Sequence, residues 1–281
     1  MFRSNNNSFK NKKYTKKPPE QKETAAEKRM RKRFTGEGKI TLVEYQKTHP
    51  DRVNVHIDDE FAFAITAVLA AERKLKAGMY LSAAQADEIQ SADLYNRGLA
   101  AALQYLALRP RSAAELRDNL RRRYPDATPE TLDRILDRLK ELNYLNDTTF
   151  AKFWVENRLA FSPRGRNLLK QELLQKRVSR DIIDTVITEQ LEALQEEADR
   201  NGENEGQPVE ETQALEQARK KARSYAADAW PDFYRKLGGF LQRRGYGFDI
   251  TGKVARQVWA ELKGQHAGDE DGSEEFSEPE S

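Results

Sequence analysis

The chain contains no cysteine. That excludes disulfides, thiolate nucleophiles and cysteine-ligated metals, and it leaves no sign of an oxidising compartment. Histidine is almost as scarce. His49, His56 and His266 are the only three, and none has a partner at helical metal-ligand spacing. No Gly-rich phosphate loop is present: Gly36 and Gly38 approach a strand, while Gly245 and Gly247 follow a helix, where glycine is an ordinary stop. Asp58-Asp59-Glu60 is explained more simply as a β-turn than as a divalent-metal site. The longest nearly apolar run, FAFAITAVLAA at 61–71, falls short of the about 20 residues needed to cross a bilayer. The N-terminus is polar and basic with no apolar segment behind it, so no secretory signal is visible. These absences lead to the expectation of a soluble cytoplasmic protein, not an enzyme, with no cofactor, no metal and no membrane partner.

What the chain has is charge. Apolar residues make up 38% of its 281 residues and charged residues 33%, which suits an array of thin helical modules better than one large globule. The net charge of +2 conceals strong segregation. Residues 1–33 carry 12 Lys/Arg against 3 Glu, and residues 97–180 carry 18 Lys/Arg against 10 Asp/Glu. Residues 189–211 hold 9 acids and one arginine, and the tail from 264 holds 7 acids and no base. Basic segments of this kind suit a polyanionic partner, although charge runs also serve simply to solubilise.

Residues 1–36 read as a disordered basic arm. ITLVEYQ (40–46), RVNVHI (52–57) and EFAFAI (60–65) alternate or are β-branched and are separated by turn residues. They predict a three-stranded meander leading into a helix at about 66–75, within a small β-containing region over 37–95. From there the pattern is helical, with a helix start at 82–93. Ser112 and Glu115 have the spacing of a capping box, Thr128-Pro129 of a cap followed by a first-turn proline, and Ser179 and Asp249 of further caps.

These starts reveal an internal repeat. Leu116/Leu120, Leu169/Leu173 and Leu237/Leu241 align, and a base follows each second leucine by three: Arg123, Lys176 and Arg244. An apolar helix follows each pair, and ALQYLALR (102–109) and AKFWVENR (151–158) precede the first two. Three three-helix units result, at 96–145, 146–194 and 214–263, with an acidic linker at 195–213 and a disordered acidic tail at 264–281. Phe150, Phe153 and Trp154 stand at core spacing. Arg117, Arg121, Arg122 and Arg123 outnumber Glu115 and Asp118, the carboxylates of their own helix. The cluster suits phosphate or a carboxylate-rich surface, or else forms a solvated face.

ALQYLALRPRSAAELRDNL (102–120), LKELNYLNDTTFAKFWVENR (139–158) and RGRNLLKQELLQKRVSRDII (164–183) resemble the RecX family of bacterial recombination regulators. The run from Tyr144 to Ala151 is the most specific marker. The strand-rich leader and FLQRRGYGFDI (240–250) are similar to the family's first and last parts. The chain departs from the pattern at Lys176-Arg177, where Lys-Gly is usual, in a longer acidic insert, and in the basic arm. The resemblance implies a mainly α fold: tandem three-helix repeats in an elongated curved array, preceded by the small β-meander and helix. It also implies a monomeric modulator of RecA in recombination and DNA repair. Such a protein binds the recombinase filament on single-stranded DNA, lies along its groove, and restrains ATP hydrolysis and strand exchange. On that reading Arg111, Arg117, Arg121, Arg122, Arg123, Lys170, Lys176, Arg177, Arg243 and Arg244 are the candidate contacts, and Asp147 caps the helix it opens. The alternative is a stand-alone protein that binds DNA, duplex included, through helix-turn-helix-like units. A helical scaffold for an acidic peptide is a third reading.

Overall fold

The computed structural model describes residues 33–202 and 206–270, the last six by backbone alone. Most of the basic arm and the end of the acidic tail therefore lie outside the described residues. The chain divides into two compact units between Gln90 and Ser91.

The first unit is a four-stranded antiparallel sheet in the order β3-β2-β1-β4, one short strand more than the meander expected from sequence. Its strands are β1 (Gly38–Tyr45), β2 (Arg52–Ile57), β3 (Glu60–Thr66) and the two-residue β4 (Tyr80–Leu81), with helix α1 (Ala67–Glu72) after β3. Strict alternation in RVNVHI sends Val53, Val55 and Ile57 inward. A register shift between Val55 and His56 lets the adjacent Ala62 and Phe63 both be buried on β3. Asp58 and Asp59 form the two-residue hairpin turn, both at positive φ, a conformation Asp tolerates better than most residues. The last residues assigned to the arm belong here too. Arg33 pairs with Asp87, and the Phe34 backbone exchanges hydrogen bonds with the Gln90 side chain.

The second unit holds the repeats. Helix α2 (Ala83–Leu106) runs across the expected boundary at 95/96 and, with α3 (Ala113–Arg123) and α4 (Pro129–Glu141), makes repeat one. Repeat two is α5 (Asp147–Phe161), α6 (Arg166–Gln175) and α7 (Arg180–Asn201). Repeat three is α8 (Val209–Ala222), α9 (Trp230–Arg243) and α10 (Phe248–Glu270). All six aligned leucines are fully buried, each pair one turn apart on the middle helix of its repeat. Around the first pair pack Ala102, Leu132, Ile135 and Leu139; around the second, Phe150, Ala151, Val155, Ile183 and Val186; around the third, Ala218, Phe233, Tyr246, Val254 and Val258. Truncating any of these leucines to alanine removes about 2–5 kcal/mol. The acidic stretch at 195–213 is helical at both ends: α7 continues to Asn201 and α8 begins at Val209. Likewise α10 runs to Glu270, past the expected start of the tail.

The caps differ from expectation in instructive ways. Ser112 Oγ accepts from the Glu115 amide at 3.1 Å, but Glu115 turns its carboxylate away and leaves the capping box half formed. Thr128 caps α4 as expected. Ser179 makes no side-chain cap bond, and Asp249 lies inside the first turn of α10. The cap of α5 is Asn146, which accepts from Thr148 and Thr149, and this frees Asp147 for another partner.

Helices α6 and α9 end in the same Schellman geometry. The Val178 amide donates to Leu173 and the Arg177 amide to Leu174; Tyr246 donates to Leu241 and Gly245 to Gln242. The left-handed residue is Gly245 in repeat three (φ 92°) but Arg177 in repeat two (φ 56°). An L side chain there costs about 1–2 kcal/mol. Substitutions at the two sites are therefore expected to act in opposite directions. Arg177→Gly should raise the urea midpoint, worth about 1 kcal/mol, since the exposed ion pair it loses contributes little. Gly245→Ala should lower stability by about 2–4 kcal/mol, because the new methyl strains φ and collides with Leu168.

Candidate partner-binding surface

The candidate cations fall into three groups, decided by where the repeats meet. The first lies on α3. Burial of Leu116 and Leu120 fixes the helix rotation and sends the arginines outward. Arg117 is not left over, as its own helix suggested; it pairs with Asp133 of α4. Arg121 and Arg122 are exposed and enter no ion pair among the described residues. Arg123 is also exposed, its guanidinium 5.9 Å from the Tyr124 ring centroid. All three occupy the last turn, where the helix dipole favours positive charge and offsets their mutual repulsion. Arg111 lies before the helix and stacks 4.1 Å from the centroid of Tyr105.

The second group is spent inside the molecule, at the joint between repeats one and two. Lys176 Nζ lies 2.6 Å from Glu115, Arg109 approaches the same carboxylate at 3.5 Å, and Arg177 reaches Asp118 at 3.6 Å. Asp147 Oδ1 accepts the Ala113 amide at 2.8 Å, so this carboxylate on repeat two caps α3 of repeat one. Behind these contacts Trp154 and Arg158 both donate to Glu172 at 2.8 Å. The Trp154 ring sits near two cations, Arg158 at 4.6 Å and Lys176 at 5.2 Å. Burial pushes the Glu115 carboxyl up, but the Lys176 hydrogen bond and the charges of Lys176 and Arg109 outweigh it. The net result holds Glu115 below its ordinary value. Lys170 is likewise engaged, 2.6 Å from Asp184 of α7.

The third group stands where repeats two and three cross. Gly165 and Gly245 touch backbone to backbone; a Cβ on Gly165 would collide with the Gly245 carbonyl group. The Gly165 amide donates to the Arg244 carbonyl at 2.9 Å and the Asn167 amide to the Gly245 carbonyl at 3.1 Å. Gln217 donates to the Tyr246 hydroxyl at 2.5 Å and to the Pro163 carbonyl at 3.2 Å. Burial, reinforced by Glu210, holds the Tyr246 phenol well above its ordinary value. Arg243 is exposed, and Arg244 lies 5.2 Å from the Phe240 centroid.

Sequence reasoning singled out Lys176 and Arg177 for outside partners and missed their acceptors, Glu115 and Asp118, about sixty positions away in the chain. It also missed Arg164 and the crossing at Gly165. The only signal at Gly165 was a glycine between two arginines. Among the described residues no group of His, Asp or Glu is placed to hold a metal ion, and no helix is long and apolar enough to cross a membrane.

Comparison with known proteins follows the same partition. Residues 38–82 match the Regulatory protein RecX N-terminal domain, and residues 99–139, 146–187 and 209–265 match the first, second and third three-helix domains of RecX. The chain is 28% identical to Regulatory protein RecX of Listeria innocua over 80% of its own length and 77% of that protein's. It is 28% identical to Regulatory protein RecX of Bacillus subtilis, over 84% and 81% of the two lengths. A crystal structure of regulatory protein RecX superposes with a TM-score of 0.56 at 22% identity, over 77% of this chain and 98% of that one; this likeness supports the fold.

The joint between repeats one and two carries a pH prediction. A carboxyl whose folded pKa is lowered stabilises the fold above its unfolded value and ceases to do so as pH falls through the folded one. Wild-type protein is therefore expected to lose more stability between about pH 5 and about pH 3 than Glu115→Gln, measured by urea denaturation at each pH. Equal losses in the two proteins would show that the Glu115 ion pairs contribute nothing.

Proposed function

The chain belongs to the RecX family of regulatory proteins, and from that premise we propose that it binds the RecA filament on single-stranded DNA and restrains ATP hydrolysis and strand exchange. Support comes first from the family match, which spans the leader and all three repeats. It comes next from the separation of cations. Four of the ten candidates are paired internally, Arg117 and Lys170 within their own repeats and Lys176 and Arg177 across the joint between repeats one and two. Arg121, Arg122, Arg123 and Arg243 remain exposed, and they are the positive charge presented to filament-bound DNA or to an acidic recombinase surface. The partners are RecA and single-stranded DNA, and the protein works in the cytoplasm as a monomer without a cofactor. The helix-turn-helix alternative fares less well: the exposed arginines of α3 lie in its last turn, whereas groove-reading helices contact bases from their N-terminal residues.

The test is RecA ATPase activity on single-stranded DNA with purified protein. Inhibition is expected at or below one protein per recombinase, reduced at least several-fold by the triple change Arg121→Gln, Arg122→Gln, Arg123→Gln. These side chains are exposed, so the fold is expected to survive. No inhibition at saturating protein would end the filament reading, and comparable affinity for bare duplex would favour the alternative.

A further inference from the structure

The crossing of repeats two and three has features that neither the family match nor the cationic helices account for. Phe161 ends α5 and is 83% exposed; Phe248 opens α10 and is 80% exposed. They are the two most exposed large apolar side chains described in the molecule, and neither contributes to a core. The chain crosses itself four residues after Phe161 and three before Phe248, at Gly165 and Gly245, and Arg164, Arg243 and Arg244 lie within two residues of those glycines. None of the three enters an ion pair among the described residues. Arg164 buries its Nε with no hydrogen-bond partner. The Gly165 amide donates to the Arg244 carbonyl, so the backbone of the crossing brings Arg164 and Arg244 into one neighbourhood. The nearby acid, Glu210, accepts the Arg166 amide at 2.7 Å and enters no ion pair among the described residues. At the other joint, by contrast, Arg109, Lys176 and Arg177 each have a carboxylate.

Flat aromatic faces beside guanidinium groups without carboxylate partners match one chemistry best. A single strand offers unstacked bases to the rings and phosphates to the arginines. A duplex covers both faces of each base, leaving the rings nothing to stack on. An acidic protein surface would use the arginines and leave the phenylalanines unexplained. We propose that this crossing is a docking site for single-stranded DNA, with Phe161 and Phe248 stacking bases and Arg164, Arg243 and Arg244 holding the backbone. The proposal rests on the filament reading for the identity of the strand, but it is tested separately.

Full-length protein is titrated into a short fluorescein-labelled oligothymidylate at several salt concentrations, with a duplex of the same length alongside. Phe161→Ala and Phe248→Ala are each expected to weaken oligothymidylate binding roughly tenfold, with the salt slope and duplex binding unchanged. Arg243→Gln and Arg164→Gln are each expected to reduce the slope by about 0.7. Phe161→Trp is expected to keep the affinity and to be quenched by bound thymine. The phenylalanines and Arg243 are exposed, so unchanged circular dichroism is expected for those variants. Oligothymidylate affinity unaltered by the phenylalanine changes overturns the site. So does Arg164→Gln or Arg243→Gln losing ATPase inhibition while keeping that affinity, because the surface would then bind protein. Wild-type protein that shows the expected pattern but leaves RecA activity untouched overturns the filament reading and leaves this site standing.

Discussion

Two leucines one helical turn apart are the constraint on which each repeat is built. A three-helix unit of this size has little interior, and the middle helix must place both leucines in it, which fixes that helix's rotation about its axis. Once Leu116 and Leu120, Leu169 and Leu173, or Leu237 and Leu241 are dry, the positions of the neighbouring charges are no longer negotiable. In the first repeat this sends the last-turn arginines into solvent. In the second it delivers Lys176 to a neighbouring repeat's carboxylate, and in the third it sets Gly245 against Gly165. The same core rule thus produces three different surfaces.

The two joints between repeats are made from different materials. Repeats one and two are held by charges and by one borrowed cap, contacts that reach the surface and are weakened by ionic screening. Repeats two and three are held by main-chain hydrogen bonds, a glycine contact and a buried tyrosine, which salt scarcely affects. This difference decides which cations are left for a partner. Where charge makes the joint, charge is consumed; where backbone makes it, the flanking arginines keep their positive charge for something else.

Much of this was legible in the sequence. The leucine alignment located the repeats because burial imposes a local period, and Thr128-Pro129 located a helix start because capping is local too. The structure agrees with RecX in its helical repeats and small antiparallel sheet, as the motifs implied. Features set by residues distant in sequence were not legible. Nothing near Glu115 announces Lys176, and nothing near Asp147 announces the amide of Ala113, because those partnerships exist only after the repeats stack. Charge counting within one helix also overstated the excess on α3, since Asp133 sits on the next helix and takes Arg117. The acidic stretch read as a linker because its composition is polar. Helix is nevertheless the state that its glutamates and alanines favour when the chain on either side is already helical.

Arg177 occupying a glycine's backbone conformation shows how far the three repeats have diverged while keeping one plan. Its side chain reaches back to Asp118, a contact glycine could not make, though that exposed pair contributes less than the turn costs. Gly245, at the corresponding place, was kept bare because another backbone passes over it. The modules are therefore cousins that have each become specific to a seat. Transplanting one into another's position would preserve its interior and ruin its edges, and the order of the three along the chain is part of what the fold encodes.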